Sequence, residues 1–170
     1  MMLRYIELFA KSCAIVALTT SFSSHANWVK QTFVKLLPEY TPYQTCIVEA
    51  GHRFGVKTEL MLAVLMQENG LKALVQRNND GSLDLGIYQI NTVRIPELKA
   101  FEASKEEIAG NHCLNANIAA YLLSEEIAKA PSFWTGVGNY HYGYWGKYPH
   151  NHTKYIENVY QNWKRIVKNN

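Results

Sequence analysis

The sequence predicts a mainly helical domain that carries one small β-hairpin, and three observations lead there. Leu60-Met61-Leu62-Ala63-Val64-Leu65-Met66 is apolar almost all the way round, as a buried helix is. Ser104 with Glu107 spells a capping box, and other helix-start residues stand at intervals along the chain. Asn78-Asn79-Asp80-Gly81-Ser82 is a tight-turn cluster, with Asp80-Gly81 suited to a hairpin. A chain of 170 residues with 48% apolar content is long enough for one domain with a real core.

Residues 1–26 read as a secretory signal. Arg4 and Lys11 precede the apolar stretch Cys13 to Leu18, and Ser24 and Ala26 suit cleavage after Ala26. The stretch is too short to span a bilayer; the competing reading is an uncleaved anchor. Residues 27–40 form an N-terminal extension, with a helix expected from Trp28 to Leu37 and stopped by Pro38. The domain occupies 41–170. Thr41-Pro42 starts its first helix, which Gly55 ends after Phe54. The next helix is capped by Thr58 and ended by Gly70. After the hairpin and the capping-box helix, Asn115 can cap a longer helix over 116–130. Pro131 to Tyr140 reads as a short helical turn. Thr153 can cap the last helix, with Ile156, Val159, Tyr160 and Trp163 as its buried stripe. No internal repeat or second domain is visible.

Within this frame Glu68 is the leading functional candidate. At helical spacing it shares a face with Met61, Val64 and Leu65. Desolvation on such a face penalises the charged form and raises a carboxyl pKa, which a general acid for glycosidic cleavage requires. The competing reading is a helix-end Glu that curls out to water. The following stretch, Leu83-Asp84-Leu85-Gly86-Ile87-Tyr88-Gln89-Ile90-Asn91, adds a second carboxylate and amides beside a glycine where a backbone can approach a ligand closely. A solvated hairpin with no ligand is the alternative.

These residues resemble the lytic transglycosylases of lysozyme-like fold, and most of all the small branch attached to conjugation, type III secretion and type IV pilus systems. The matching text is Gln67-Glu68, then Asn79 to Asn91, then Cys113-Leu114-Asn115-Ala116-Asn117-Ile118-Ala119-Ala120-Tyr121-Leu122-Leu123, then Trp134 and Val137-Gly138-Asn139-Tyr140-His141. The resemblance runs from about Tyr43 to Trp163 and implies the α+β lysozyme-like class, with the hairpin lining a sugar-binding cleft. Three positions depart from the family pattern. Asn69 stands where Ser is usual, His112 where Pro is frequent, and Tyr140-His141-Tyr142-Gly143 where Tyr-Asn-Ala-Gly is frequent. The resemblance implies that the departures at Asn69 and His141 bear on the detail of the sugar contacts and leave the acid in place.

The resemblance implies that Glu68 protonates the glycosidic oxygen between N-acetylmuramic acid and N-acetylglucosamine, then accepts the C6 hydroxyl proton as a 1,6-anhydro ring closes. One carboxylate thus serves as acid and base, outside the usual two-carboxylate scheme. Asp84 is a second catalytic candidate, able to stabilise positive charge on the sugar; the alternative is that it holds the hairpin through backbone amides. Gln89 and Asn117 match polar cleft positions, or are buried amides that satisfy backbone groups. Tyr140 aligns with the family's active-site Tyr. Tyr142, Tyr144 and Trp145 are further cleft-rim candidates in an aromatic-rich region from Phe133 to Tyr148, where packing is the competing role.

Removal of the signal leaves Cys46 and Cys113, an even pair that in an exported chain implies one disulfide; the family commonly has a bond here. Two free thiols would be expected only in the cytosol. No cofactor and no metal are expected: His112, His141, His150 and His152 lack the His-Glu-x-x-His pattern, and His150-Asn151-His152 reads as a polar loop. A net charge of +3 without a basic block disfavours nucleic acid and suits an anionic cell wall. The expected partners are peptidoglycan glycan strands and an envelope-spanning secretion, conjugation or pilus apparatus, met in the periplasm with no membrane span after signal cleavage. Two other functions fit the same residues: a muramidase that uses water, and a peptidoglycan-binding assembly factor.

Overall fold

The computed structural model describes residues 27–141 and 149–168. The signal region 1–26 and the rim candidates Tyr142, Tyr144 and Trp145 lie outside the described residues. A first helix, α1, covers 27–36. It is followed by a 3-10 segment Pro38–Tyr43, then α2 (Gln44–Arg53) and α3 (Thr58–Glu68). Three short strands come next, β1 (Val75–Arg77), β2 (Leu83–Leu85) and β3 (Ile90–Asn91). A 3-10 stretch Thr92–Phe101 leads to α4 (Lys105–Gly110), α5 (His112–Lys129), α6 (Phe133–His141) and α7 (Pro149–Lys168).

Helix α3 is the axis of the domain. Leu60, Met61, Leu62, Ala63, Val64 and Leu65 are all buried, so the helix has no solvent face over that turn and a half. It packs against α7 and α2, while α5 packs against α2 and α6. Gly136 permits the α5–α6 approach: a Cβ there would sit 2.5 Å from the Ile127 backbone. A disulfide joins Cys46 on α2 to Cys113 in the first turn of α5, with Cα atoms 5.4 Å apart. The expected extension 27–40 contributes Val29, Phe33, Leu37 and Tyr40 to the same core. The opposite face of α1 meets solvent, with Val34 exposed.

The strands form one antiparallel sheet in the order β1-β2-β3. Gly81 takes a positive φ in the β1–β2 turn, as the Asp80-Gly81 pair predicts. The two-residue β3 was not anticipated. It pairs Asp84 with Asn91 and Leu85 with Ile90.

Several helix boundaries differ from expectation, each for a local reason. Thr58 is the first helical residue of α3 and is buried, and no side chain caps the helix start. Asn69, not Gly70, adopts the left-handed conformation that ends α3, with its N–H bonded to Leu65 O at 2.9 Å. Gly70 is required for another purpose. Its N–H meets Ile87 O at 3.2 Å, and a Cβ would run into the Gly86 carbonyl, so it lets the hairpin close on the end of α3. Thr41-Pro42 lies in a 3-10 turn, and α2 begins only at Gln44. Asn111 caps α5 by accepting from Leu114 N at 3.0 Å, which places Asn115 inside the helix. Where a short helical turn was expected over Pro131–Tyr140, a nine-residue helix runs from Phe133 to His141. The Ser104–Glu107 capping box forms as read.

Helix α7 begins at Pro149, about a turn earlier than expected, and its inward stripe also differs from the expected one. His152, Tyr155, Val159 and Ile166 are buried, while Tyr160 is 39% exposed. The expected solvated loop His150-Asn151-His152 is therefore helix. His152 points inward, with Nε2 3.1 Å from Asn139 Oδ1 and 3.2 Å from Thr135 O.

Candidate active site

Glu68 occupies the last position of α3, where the buried helix emerges beside the sheet. Its Oε1 accepts a 2.5 Å hydrogen bond from the Tyr155 hydroxyl on α7. Burial pushes its carboxyl pKa up to about 8; the Tyr155 hydroxyl opposes this by favouring the carboxylate, and the charge of Asp84 adds a smaller push upward. The group therefore holds its proton at neutral pH, as the apolar helix face predicts.

Tyr155 bonds this carboxyl, Tyr140 lies within reach of its charge, and Tyr88 and Tyr40 brace the backbone on either side. Tyr155 and Tyr140 both have hydroxyl pKa values raised well above normal, by burial first and by the nearby Glu68 second, so both stay neutral donors. Tyr140 donates to Tyr88 O at 2.8 Å, tying α6 to the β2–β3 turn. Tyr88 is fully buried and donates to Met61 O at 3.2 Å, within α3. Tyr40 donates to Asn69 Oδ1 at 3.4 Å and accepts from Leu71 N at 3.4 Å, which fixes the chain leaving Glu68. His141, which replaces the family's frequent Asn, stacks on the Tyr155 ring at 4.6 Å; burial lowers its pKa, which favours the neutral imidazole.

Asp84 is held by the sheet. Its Oδ1 accepts from Asn91 Nδ2 at 2.7 Å, its direct cross-strand partner, and its Oδ2 accepts from Asn78 Nδ2 at 3.0 Å. It clasps the hairpin through side-chain amides, where backbone amides were expected. Gln89 lies in the left-handed region at φ 50, and its amide donates to Gly86 O at 2.8 Å and Ala73 O at 3.0 Å. These bonds pin the β2–β3 turn to the segment after α3. Asn117 donates to Cys113 O at 2.8 Å one turn back, and its Oδ1 is buried without a protein partner. The close approach at Gly86 is to Asn115, whose side-chain amide fills the place of a Cβ; no ligand is needed to explain this glycine.

Two residues central to this geometry were missed in the sequence. Tyr155 is 87 positions from Glu68, so no local spacing signals the contact. Asn115 is wholly buried and accepts from Tyr88 N at 2.8 Å while donating to Leu85 O at 2.9 Å and Ile108 O at 3.0 Å. An uncompensated amide in that place would cost several kcal/mol, on the order of 2–7. Fully bonded, it locks the sheet to α5. Its place inside the text Cys113-Leu114-Asn115 was the available signal.

Among the described residues there is no group of three His, Cys, Asp or Glu side chains suited to hold a metal. His112 packs edge-on against Tyr43 at 4.5 Å, apart from the Glu68 cluster. A groove beside the disulfide, lined by Tyr43, His112 and Glu106, includes none of the site candidates. The arrangement around Glu68 offers one protonated carboxyl, neutral hydroxyl donors and a rigid hairpin wall. That suits proton transfer to a leaving oxygen.

Comparison with known proteins agrees. Residues 45–165 match the transglycosylase SLT domain. The chain is 34% identical to protein IpgF of Shigella sonnei over 139 residues, 79% of this chain and 91% of that protein. It is 28% identical to the invasion protein IagB of Salmonella typhimurium over 132 residues, 77% of this chain and 82% of that one. A peptidoglycan-binding-like protein of Escherichia coli O157:H7 is 29% identical over 129 residues, 71% of this chain and 77% of the relative. With most of its length under that domain and the lysozyme-like arrangement of helices and sheet around Glu68, the chain belongs to the SLT family of lytic transglycosylases.

Proposed function

We propose that the protein cleaves the β-1,4 bond between N-acetylmuramic acid and N-acetylglucosamine in peptidoglycan and leaves a 1,6-anhydro-muramic end. This reading is carried by the place of Glu68 at the end of an otherwise apolar helix, held by the Tyr155 hydroxyl, where burial pushes its carboxyl pKa up to about 8. Glu68 gives its proton to the glycosidic oxygen as the bond to muramic C1 breaks. The resulting carboxylate then takes the proton of the muramic C6 hydroxyl while that oxygen bonds to C1. The proton count closes on one residue and no water is consumed. The Tyr155 hydroxyl holds the carboxyl in place and steadies it in its ionised interval.

Asp84 is the point on which a water-using muramidase would depend. Both of its oxygens already accept amide protons across the sheet, which favours a role as hairpin clasp and electrostatic neighbour over one as water activator. Tyr140, Gln89 and Asn117 remain the substrate-facing candidates, with Gln89 shaping the wall through the turn it holds. The name of one relative, an invasion protein, supports local opening of the wall for an envelope-spanning secretion apparatus in the periplasm, with conjugation and pilus systems as sister settings. No helix among the described residues is long and apolar enough to cross a membrane.

The direct test is release of soluble muropeptides from purified sacculi by the wild type beside Glu68→Gln, which keeps the shape and removes the proton. Loss of a general acid costs roughly 100- to 10,000-fold in rate. Equal release by both proteins would exclude Glu68 as the acid.

A further inference from the structure

On α7, the side turned away from Tyr155 carries a second chemical feature. Tyr160 lies five residues on from Tyr155, about 7.5 Å along the axis and about 140° round it. There, aromatic side chains of α6 and α7 meet in a continuous series. Phe133 packs edge-on against Trp134 at 5.3 Å, Trp134 packs edge-on against Tyr160 at 5.2 Å, and Tyr160 stacks with Trp163 at 5.9 Å. The two tryptophans are half-buried and join the helices. Tyr160 shares in that contact through Trp134, yet it is 39% exposed and Phe133 is 46% exposed, so both rings also face solvent. Lys164 places its Nζ 4.9 Å from the Tyr160 ring centre, so a cation sits on the aromatic surface.

We propose that Phe133, Tyr160 and Lys164 form a peptidoglycan-binding platform separate from the Glu68 cleft. Rigid aromatic rings present flat apolar faces that match the C–H face of a pyranose, and Phe133 and Tyr160 are joined into one surface through the half-buried Trp134. On the Tyr160 side of α7, exposed Lys164 and Lys168 stand against one acid, Glu157. A glycan strand bearing peptide carboxylates satisfies both halves, with sugar faces on the rings and carboxylates on the ammonium groups. The platform would keep the enzyme on the sacculus between cleavage events, and its ligand class rests on the peptidoglycan reading above.

The test uses the Glu68→Gln protein, so that binding is read without cleavage, with and without the further pair Phe133→Ala and Tyr160→Ala. Sedimentation with insoluble sacculi is expected to show about tenfold weaker binding for the platform variant, the loss expected of removing stacking worth about 1.4 kcal/mol. In the Glu68-intact background the same pair should leave cleavage of short soluble glycan fragments unchanged. Equal sedimentation of both proteins, or of neither, would overturn the platform. So would a pair effect on soluble fragments as large as that on sacculi. Binding to vesicles of anionic phospholipid that falls with the pair, while sacculus binding does not, would assign the surface to a membrane instead and overturn the proposal. If the pair weakens sacculus binding but the wild type releases no products, the platform stands and the catalytic reading fails.

Discussion

Replacement of Glu68 by Gln should stabilise the protein, and by an amount that depends on pH. The carboxyl has a pKa of about 8 in the fold against 4.5 ordinarily, because burial penalises its charge. Between those values the folded state keeps a proton that the unfolded chain has lost. The folded state then binds more protons than the unfolded one, so stability falls as pH rises through the window and levels off above pH 8. At about 1.4 kcal/mol per pH unit, the loss reaches about 3 kcal/mol at pH 7 and about 5 kcal/mol above pH 8; water at the open side of the carboxyl makes these upper values. Gln cannot ionise, and its carbonyl still accepts from Tyr155. Urea unfolding of both proteins from about pH 4 to about pH 9 isolates the effect, since all other titrating groups are shared. The account expects the variant's advantage to grow through the window and then flatten. A constant difference would refute the claim that the carboxyl is desolvated in the fold.

Four further outcomes follow. Tyr155→Phe removes the donor that favours the carboxylate, so the alkaline fall of kcat/KM should move to higher pH than in the wild type; an unmoved limb would show that the bond does not tune Glu68. Gly70→Ala should cost about 3 kcal/mol or more in chemical denaturation, because its Cβ meets the Gly86 carbonyl and Ile87 backbone, neither of which can swing aside. Reduction of the Cys46–Cys113 bond, 67 residues apart, should cost about 4 kcal/mol, read from unfolding with and without reductant. Asn115→Ala strands one N–H and two carbonyls in the core and should cost about 3 kcal/mol, with faster amide exchange in β2 and the turn at Tyr88.

The sequence carried the parts of this architecture that local chemistry decides. An apolar run cannot avoid burial, so α3 and the placement of Glu68 at its end were legible. Asp80-Gly81 located the hairpin, and Ser104 with Glu107 located α4. Contacts that depend on tertiary geometry were not legible. Gly70 looks like a helix terminator because glycine commonly is one, yet Asn69 takes that conformation and Gly70 serves the close approach of the hairpin. Asn115 looks like a cap because Asn often caps, yet Asn111 does so and Asn115 is buried between helix and sheet. On α7, packing against α3 and α6 turns Tyr155 inward and leaves Tyr160 on the outer side, a choice of face that the helix pattern alone did not make. That choice of face separates a residue bonded to Glu68 from one on the outer surface.

The central claim is that one carboxyl breaks the glycosidic bond without water, and digestion of sacculi in water enriched in oxygen-18 tests it most directly. Mass spectrometry of the released muropeptides should find unlabelled 1,6-anhydro-muramic ends with the wild type and none with Glu68→Gln. Reducing ends that carry oxygen-18 would contradict the account. They would mean that water attacks and that Asp84 does more than clasp the hairpin.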